Sequence, residues 1–389
     1  MTSASQPQRE AALTQLFSPE GKPGALEGVK ILEICGVNFG CLIAGSLLAE
    51  LGAEVYTVPD EEAQRITVDD VYVNGVGIPY LVESRGKKKT SWDAAAELLP
   101  YVDILLDGLG PGKLAQRGMG YPQLAEKYPS LIYVAISPFG HYPTEKSIEF
   151  ADAADSDLTG QAYNGYMAML GNPDLPEPFS YPIRAGIWLA WAFAGAAAAL
   201  GALASYWERL KTGRGGVVDV ATNEVLSVVH PYQIGAAFVL NANRRRSPTI
   251  DANLYVTYTT AKAKDRFVAI ATVIWPEIEA FFQIIGRPEL AEKWKDAMSQ
   301  VWEKPDVIKP LAQEVFKTVS ELPAEELVRR AREKGKPPMA IVKTLEEVAA
   351  QEHWRLRRAI VEMECHGKKL LMPGTPYVLS ETPGKIGTC

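Results

Sequence analysis

The chain has 389 residues, of which 47% are hydrophobic and 22% charged, with a formal net charge of −7. That length exceeds one ordinary core, so two domains are expected, and the composition is that of a soluble globular chain. The acidic balance argues against a nucleic-acid binder, whose affinity comes largely from clustered positive charge, but leaves an anionic ligand open where basic residues concentrate locally.

Residues 1–27 read as a loosely ordered lead-in without an apolar signal core. Val29 to Ile34 (VKILEI) predicts a strand, Cys35 to Gly40 a loop, Cys41 to Leu51 (CLIAGSLLAEL) a helix stopped by Gly52, and Glu54 to Val58 a second strand. Strand, loop, helix and strand make a βαβ unit, which predicts a parallel, Rossmann-like sheet. The Gly36–Gly40 loop leads into a helix N-terminus, where free N–H groups and the helix dipole favour an anion. A tight turn with no ligand is the alternative, and the GxGxxG dinucleotide fingerprint is absent.

Arg85-Gly86-Lys87-Lys88-Lys89 is the densest positive run before residue 244. It is a candidate phosphate contact, with a solvated loop as the alternative. Arg244-Arg245-Arg246 reads as solvated surface. Asp103 to Leu106 predicts a strand followed by GLGPG, and Leu131 to Ile136 another, ending in Ser137-Pro138-Phe139-Gly140. Asp152, Asp155 and Asp157 follow in EFADAADSDLTGQ. Such acids can serve as nucleophile or base, but before LTGQAYNGYMAML the spacing favours caps of the helix they precede.

Ala185 to Ala204 carries no charged or polar side chain across 20 residues, ten of them alanine and three glycine. The length meets the criterion for a membrane span, but alanine and glycine gain little in lipid. Small residues instead predict a helix packed closely inside the protein or at a subunit interface. It continues through Lys211, stops at Thr212-Gly213-Arg214-Gly215-Gly216, and gives way to a buried strand at Val217 to Ala221.

Beyond Asn243–Pro248, a polar break, Tyr255 to Thr259 and Phe267 to Val273 predict antiparallel strands, and Pro276 starts a helix. Residues 290–335 predict amphipathic helices; a strand at Met339 to Val342, a helix at Thr344 to Gln351 and an extended tail follow. The fold class is therefore α/β, with a large Rossmann-like domain over 1–222 and 336–389 and a smaller α+β domain over 223–335. Cys35, Cys41, Cys365 and Cys389 form no CxxC, and the four histidines are scattered, so neither a zinc site, a redox dithiol nor any other metal site is indicated. A reducing cytoplasm is the simplest compartment.

Four segments in order resemble the family III CoA-transferases, the group that includes formyl-CoA transferase, carnitine CoA-transferase and α-methylacyl-CoA racemases. LEGVKILEICGVNFGCLIAGSLLAELGAEVYTV resembles a strand and loop followed by "LxxLGAxVIKVE"; ESRGKKKTSW resembles "NRGKxS". VDILLDGLGPGKLAQRGMGYPQLAEKYPSLIYVAISPFG resembles "ADVxxENFxPGxxxRLGxxYxxLxxxNPxLIYxSxxGFG", and LKTGRGGVVDVA resembles "RxxTGxGQxVDVS". The resemblance covers nearly the whole chain. It implies interlocked two-domain subunits, no covalent cofactor, and CoA or acyl-CoA as substrate. Val37, Asn38 and Phe39 would line the CoA site, with Gly108, Leu109, Gly110, Arg85, Lys87, Lys88, Lys89 and Arg117 nearby. Pro59 and Asp60 depart from the family pattern, and Arg117 falls one residue late.

Transferases of this family use an aspartate that attacks the thioester carbonyl and then carries the CoA. Aligned back from Thr212-Gly213 through Gly195, that position is Trp191, and no Asp or Glu lies between Glu177 and Glu208. The racemase branch needs a His–Asp pair; Asp157 matches the acid, but Ser156 stands where the histidine would be. The resemblance therefore implies a heteromer in which a homologous catalytic subunit supplies the aspartate and this chain has none. Two-subunit members include the succinyl-CoA:benzylsuccinate CoA-transferases of anaerobic toluene degradation, and the chain resembles their subunit without the nucleophile. A self-sufficient homodimer using Asp157 or Asp155, and a non-enzymatic CoA-binding homologue, are the alternatives.

Overall fold

The computed structural model describes residues 14–173, 175–229, 231–240, 246, 257–300 and 304–389. The chain divides into two compact units. The first takes Met1–Met167, Arg184–Ala242 and Gln351–Cys389; the second takes Ala168–Ile183 and Asn243–Ala350.

In the first unit β1 (Lys30–Ile34), β2 (Glu54–Thr57), β3 (Lys88–Lys89), β4 (Ile104–Asp107), β5 (Ile132–Ser137) and β6 (Val217–Ala221) form one sheet. All pairings are parallel, in the order β3-β2-β1-β4-β5-β6. β4 and β5 are buried throughout, as expected of apolar strands covered on both faces. The strand order reverses at β1, so the loops after β1 and β4 leave the sheet side by side. That crevice is where open α/β sheets bind ligands.

α1 (Phe39–Glu50) starts two residues before the predicted Cys41, because Asn38 is its N-cap. Asn38 Oδ1 accepts from Cys41 N (2.9 Å), and its Nδ2 donates to the Ile136 carbonyl (3.1 Å). The helix start is thereby tied to β5. α2 (Asp157–Tyr163) is short, and α3 (Leu189–Thr212) is the apolar run. α3 ends where its glycines predict, at Gly213 in the left-handed region (φ 72°). By length and composition it could cross a membrane. In this fold its buried residues Trp191, Ala194, Ala198 and Ala202, spaced three or four apart, pack against α1 and the sheet. A Cβ at Gly195 would stand 2.5 Å from the Ile43 side chain, so the two helices approach more closely there than any larger residue allows.

β6 corrects one expectation. It is an edge strand, half-exposed along most of its length rather than buried, because β5 pairs with it on one side only. Lys88–Lys89 forms the opposite edge, a strand too short for periodicity to announce.

The second unit holds an antiparallel sheet of β7 (Tyr258–Lys262), β8 (Phe267–Ala271) and β9 (Met339–Ile341), in the order β9-β8-β7. Around its core of Phe281, Phe282, Trp294, Val315 and Leu327 lie α4 (Trp275–Ile284), α5 (Leu290–Gln300), α6 (Lys309–Ser320) and α7 (Ala324–Lys334). Pro276 sits in the first turn of α4, as predicted. The strand predicted from Tyr255 begins at Tyr258; Tyr255 and Val256, and all of the polar break but Arg246, lie outside the described residues. The helix predicted over Thr344 to Gln351 is shorter, Leu345–Ala349, and a separate one follows at Glu352–Leu356.

The first unit is completed by the hairpin β10 (Ile360–Cys365) and β11 (Lys368–Pro373) and by the tail. Arg85 Nη1 donates to the Pro373 carbonyl (2.6 Å), Lys385 N to Glu50 O (2.8 Å) and Gly86 N to Thr388 O (2.8 Å). The four cysteines are paired: Cys35 bonds Cys41 across the loop into α1, and Cys365 bonds Cys389. Neither spacing is a recognised motif; the turn and the returning tail create the proximity.

Candidate active site

The loops after β1 and β4 meet as the strand order requires. A Cβ at Gly36 would lie 3.0 Å from Leu109, and one at Gly108 would lie 2.8 Å from both the Cys35 carbonyl and Cys41 Cβ. Val37, Asn38 and Phe39 are thus brought together with Gly108, Leu109 and Gly110. Part of the donor set is already spent: Leu109 N donates to Asp107 Oδ1 (3.0 Å) and Asn38 N to the Cys35 carbonyl (3.2 Å). Asn38 is 1% exposed, so its side chain serves the fold. Asp107 also accepts from Tyr133 OH (2.5 Å), and burial pushes its carboxyl above the usual range.

The basic run divides in two. Arg85 and Lys87 point inward. Arg85 Nη2 pairs with Glu50 (2.9 Å), and Lys87 Nζ pairs with Glu33 (2.5 Å) and donates to the Leu42 carbonyl (2.8 Å). Both Lys87 and Glu33 side chains are 0% exposed. Gly45 makes room for the pair, since a Cβ there would lie 1.7 Å from Glu33 Oε2. Glu83 joins them, bonded to the Ser46 hydroxyl. Burial raises the pKa of all three carboxylates, that of Glu50 to about 7, against the lowering pull of Arg85 and Lys87. The expectation that the whole run faces a phosphate is therefore corrected for Arg85 and Lys87. Lys88 and Lys89 are exposed, Lys88 beside Glu54 (2.6 Å). Arg117 lies over the Trp92 ring at 4.1 Å.

Trp191 stands on the first turn of α3, 6% exposed. Its ring lies 5.3 Å from Phe39 of the β1 loop and 4.9 Å from Trp188. The close approach of α1 and α3 at Gly195 thus sets Trp191 directly beside the candidate ligand loop. Its Nε1 donates to Asp155 Oδ2 (3.2 Å), which also accepts from the Thr222 hydroxyl (3.4 Å). Asp155 Oδ1 is buried without a partner, and burial pushes this carboxyl up to about 6.

Asp157 caps a helix, but not the one it begins. Its Oδ1 accepts from Ala190 N (2.8 Å) and Trp191 N (3.2 Å), the free donors of α3, and its Oδ2 accepts from Gln161 Nε2 (2.7 Å). Burial still outweighs these bonds and raises its pKa. With both oxygens engaged and 4% exposure, Asp157 is poorly placed to attack a carbonyl. The Trp191–Asp155–Thr222 contact was invisible in the sequence; its one local signal was the polar pair Thr222-Asn223 closing an apolar strand. Among the described residues no cluster of three or more His, Cys, Asp or Glu could hold a metal.

The model of CoA-transferase family III matches residues 26–388. The chain belongs to that family. CoA thioesters are the substrates of such CoA-transferases, and no covalently held cofactor is indicated. Similar curated members include the succinyl-CoA:mesaconate CoA-transferase of Haloarcula marismortui, 25% identical over 92% of this chain and 91% of that one. The succinyl-CoA–D-citramalate CoA-transferase of Chloroflexus aurantiacus is 28% identical over 71% of this chain and 68% of its own. The alpha subunit of the succinyl-CoA–L-malate CoA-transferase from Chloroflexus aurantiacus is 25% identical over 93% and 84%. The crystal structure of a CAIB/BAIF family protein from Brucella suis has the same fold, with a TM-score of 0.75 and 21% identity over 94% of this chain and 96% of that one.

Proposed function

We propose that this chain is the nucleophile-free subunit of a heteromeric family III CoA-transferase. It would move CoA from succinyl-CoA to a carboxylic acid such as (R)-benzylsuccinate. The observation that carries the reading is Trp191. Where the resemblance to the family puts its aspartate, this chain has a buried indole, locked between Phe39 and Trp188 and bonded to Asp155. It has no oxygen that could accept an acyl group. The neighbouring Asp157 is consumed as the cap of α3. The names of the relatives support succinyl-CoA as donor and the existence of members built from unlike subunits.

In this reading the homologous partner provides the aspartate. Its carboxylate attacks the thioester carbonyl and expels the CoA thiolate, leaving a mixed anhydride. The thiolate then attacks the aspartyl carbonyl of that anhydride, releasing succinate and leaving an aspartyl thioester. The acceptor carboxylate repeats the two steps in reverse and leaves as its CoA ester, with the aspartate regenerated. Here Val37, Gly108, Leu109, Gly110, Lys88, Lys89 and Arg117 would form a CoA-facing surface, with the fully buried Phe39 packed behind it. The assembly is proposed as cytoplasmic, without a membrane span.

The test is succinyl-CoA-dependent formation of benzylsuccinyl-CoA by this chain alone and co-expressed with an aspartate-bearing homologue. Activity only in the mixture, retained with Asp157→Ala in this chain, is expected. Turnover by this chain alone, lost on Asp157→Ala or Asp155→Ala, would overturn the reading in favour of a self-sufficient enzyme.

A further inference from the structure

Pro138, Phe139, Ala153, Ala154, Tyr163 and Asn223 line a cavity of about 460 Å³ beyond the carboxyl ends of β5 and β6. The walls are largely apolar and aromatic. Phe139 stacks on Phe150 at 5.0 Å and meets Tyr163 edge-on at 5.0 Å. The Thr159 hydroxyl, also on the wall, is spent on the Ser156 carbonyl (2.9 Å).

One wall residue carries an unpartnered polar atom, and two more such atoms belong to residues next to wall residues in the chain. Asn223 is 4% exposed, lines the cavity, and its Oδ1 has no hydrogen bond. Ser137 Oγ and Asp155 Oδ1 also lack partners, and each belongs to the chain neighbour of a lining residue, Pro138 or Ala154. These are three of the seven such atoms among the described residues. A buried acceptor without a donor is costly, and native structures leave few. Two of the three, the Asn223 amide oxygen and the Asp155 carboxylate oxygen, are acceptors. An anionic ligand would bring only more acceptors, whereas a hydroxyl brings the missing donor.

We propose that this cavity binds a hydroxyl-bearing aromatic of one or two rings, its ring among Phe139, Tyr163 and the alanines and its hydroxyl donating to Asn223 Oδ1. The site lies outside the proposed CoA contacts and calls for a neutral ligand, so it goes beyond the transferase reading and does not depend on it.

The experiment is calorimetric or ligand-observed NMR titration of the full chain with 2-naphthol, 2-methoxynaphthalene and 2-naphthoate. The methyl ether keeps the ring and removes the donor; the acid replaces the donor with a charge. Saturable binding of 2-naphthol about tenfold tighter than either is expected, the size of one neutral hydrogen bond. Asn223→Leu should bring naphthol and its ether to within about twofold of each other, because the amide acceptor is lost while the side-chain volume is nearly kept. Ala162→Trp, at an exposed lining position, should abolish binding of both by filling the space. Equal binding of naphthol and its ether by the native chain would overturn the proposal. So would a preference that survives Asn223→Leu, saturation unaffected by Ala162→Trp, or no saturable binding. If Asn223→Leu does not fold, the native comparison and the Ala162→Trp variant still decide.

Discussion

Replacing Lys87 by methionine separates a residue that holds the fold from one that holds the ligand. Lys87 Nζ lies 2.5 Å from Glu33 Oε2, and neither side chain is exposed. At that separation and an effective dielectric near 20, the attraction is about 7 kcal/mol. Removing both charges from water costs nearly as much, so the intact pair contributes little net stability. Lys87→Met removes the attraction and leaves the cost. Glu33 then sits buried with Oε1 already unpartnered, and the loss should be about 3–5 kcal/mol. The double variant Glu33→Gln/Lys87→Met removes both charges and should regain most of it. The assay is urea unfolding followed by far-ultraviolet circular dichroism and tryptophan fluorescence, with CoA affinity measured on the refolded double variant. A single variant within about 1 kcal/mol of the native chain would refute the reasoning. So would a stable double variant that had lost CoA affinity, since Lys87 would then belong to the ligand site.

Asp155→Asn should change how stability depends on pH. Because burial raises the Asp155 pKa to about 6, the folded state keeps a proton that the unfolded state releases near pH 4. Native stability therefore falls as pH rises between about 4 and 6, by up to roughly 3 kcal/mol, and is level above. The asparagine variant lacks that fall, so its advantage should be greatest above pH 6 and vanish below pH 4; an advantage that grows toward acid pH would reverse the sign. Asp157→Ala strips the cap from α3 and should lower stability by about 1–2 kcal/mol, while transfer by the mixed subunits survives; loss of transfer with unchanged stability would make Asp157 a reacting group. Gly195→Val, set against Ile43 at 2.5 Å, should cost about 1–3 kcal/mol in denaturant unfolding, and a neutral result would mean that α1 and α3 are not held this close.

Much of the first unit can be read from the sequence because its signals are local. VKILEI, CLIAGSLLAEL and EVYTV each carry their own periodicity, and TGRGG stops α3 where glycine must. The site was half legible. Trp191 was found by counting back from Thr212-Gly213, but nothing near it in sequence indicates that its indole bonds Asp155, 36 positions earlier. Lys87 reads as a phosphate contact or a solvated charge, because nothing local in RGKKK sets it apart from Lys88 and Lys89. Its partner Glu33 is 54 positions away on β1, so only the fold reveals the pairing. Asp157 reads as a cap of the helix it begins, whereas the N–H groups it serves belong to α3. Likewise the disulfides join positions that no spacing rule connects.

The return of Gln351–Cys389 to the first unit sets the order of events during synthesis. Arg85 waits for the Pro373 carbonyl, Gly86 for Thr388 and Glu50 for Lys385, so the first unit lacks these contacts until residues 373–388 have left the ribosome. The second unit's Asn243–Ala350 segment emerges before those closing residues and has its own core. The domain that starts first is therefore the one that finishes last, and through that interval it relies on whatever protects unfinished chains.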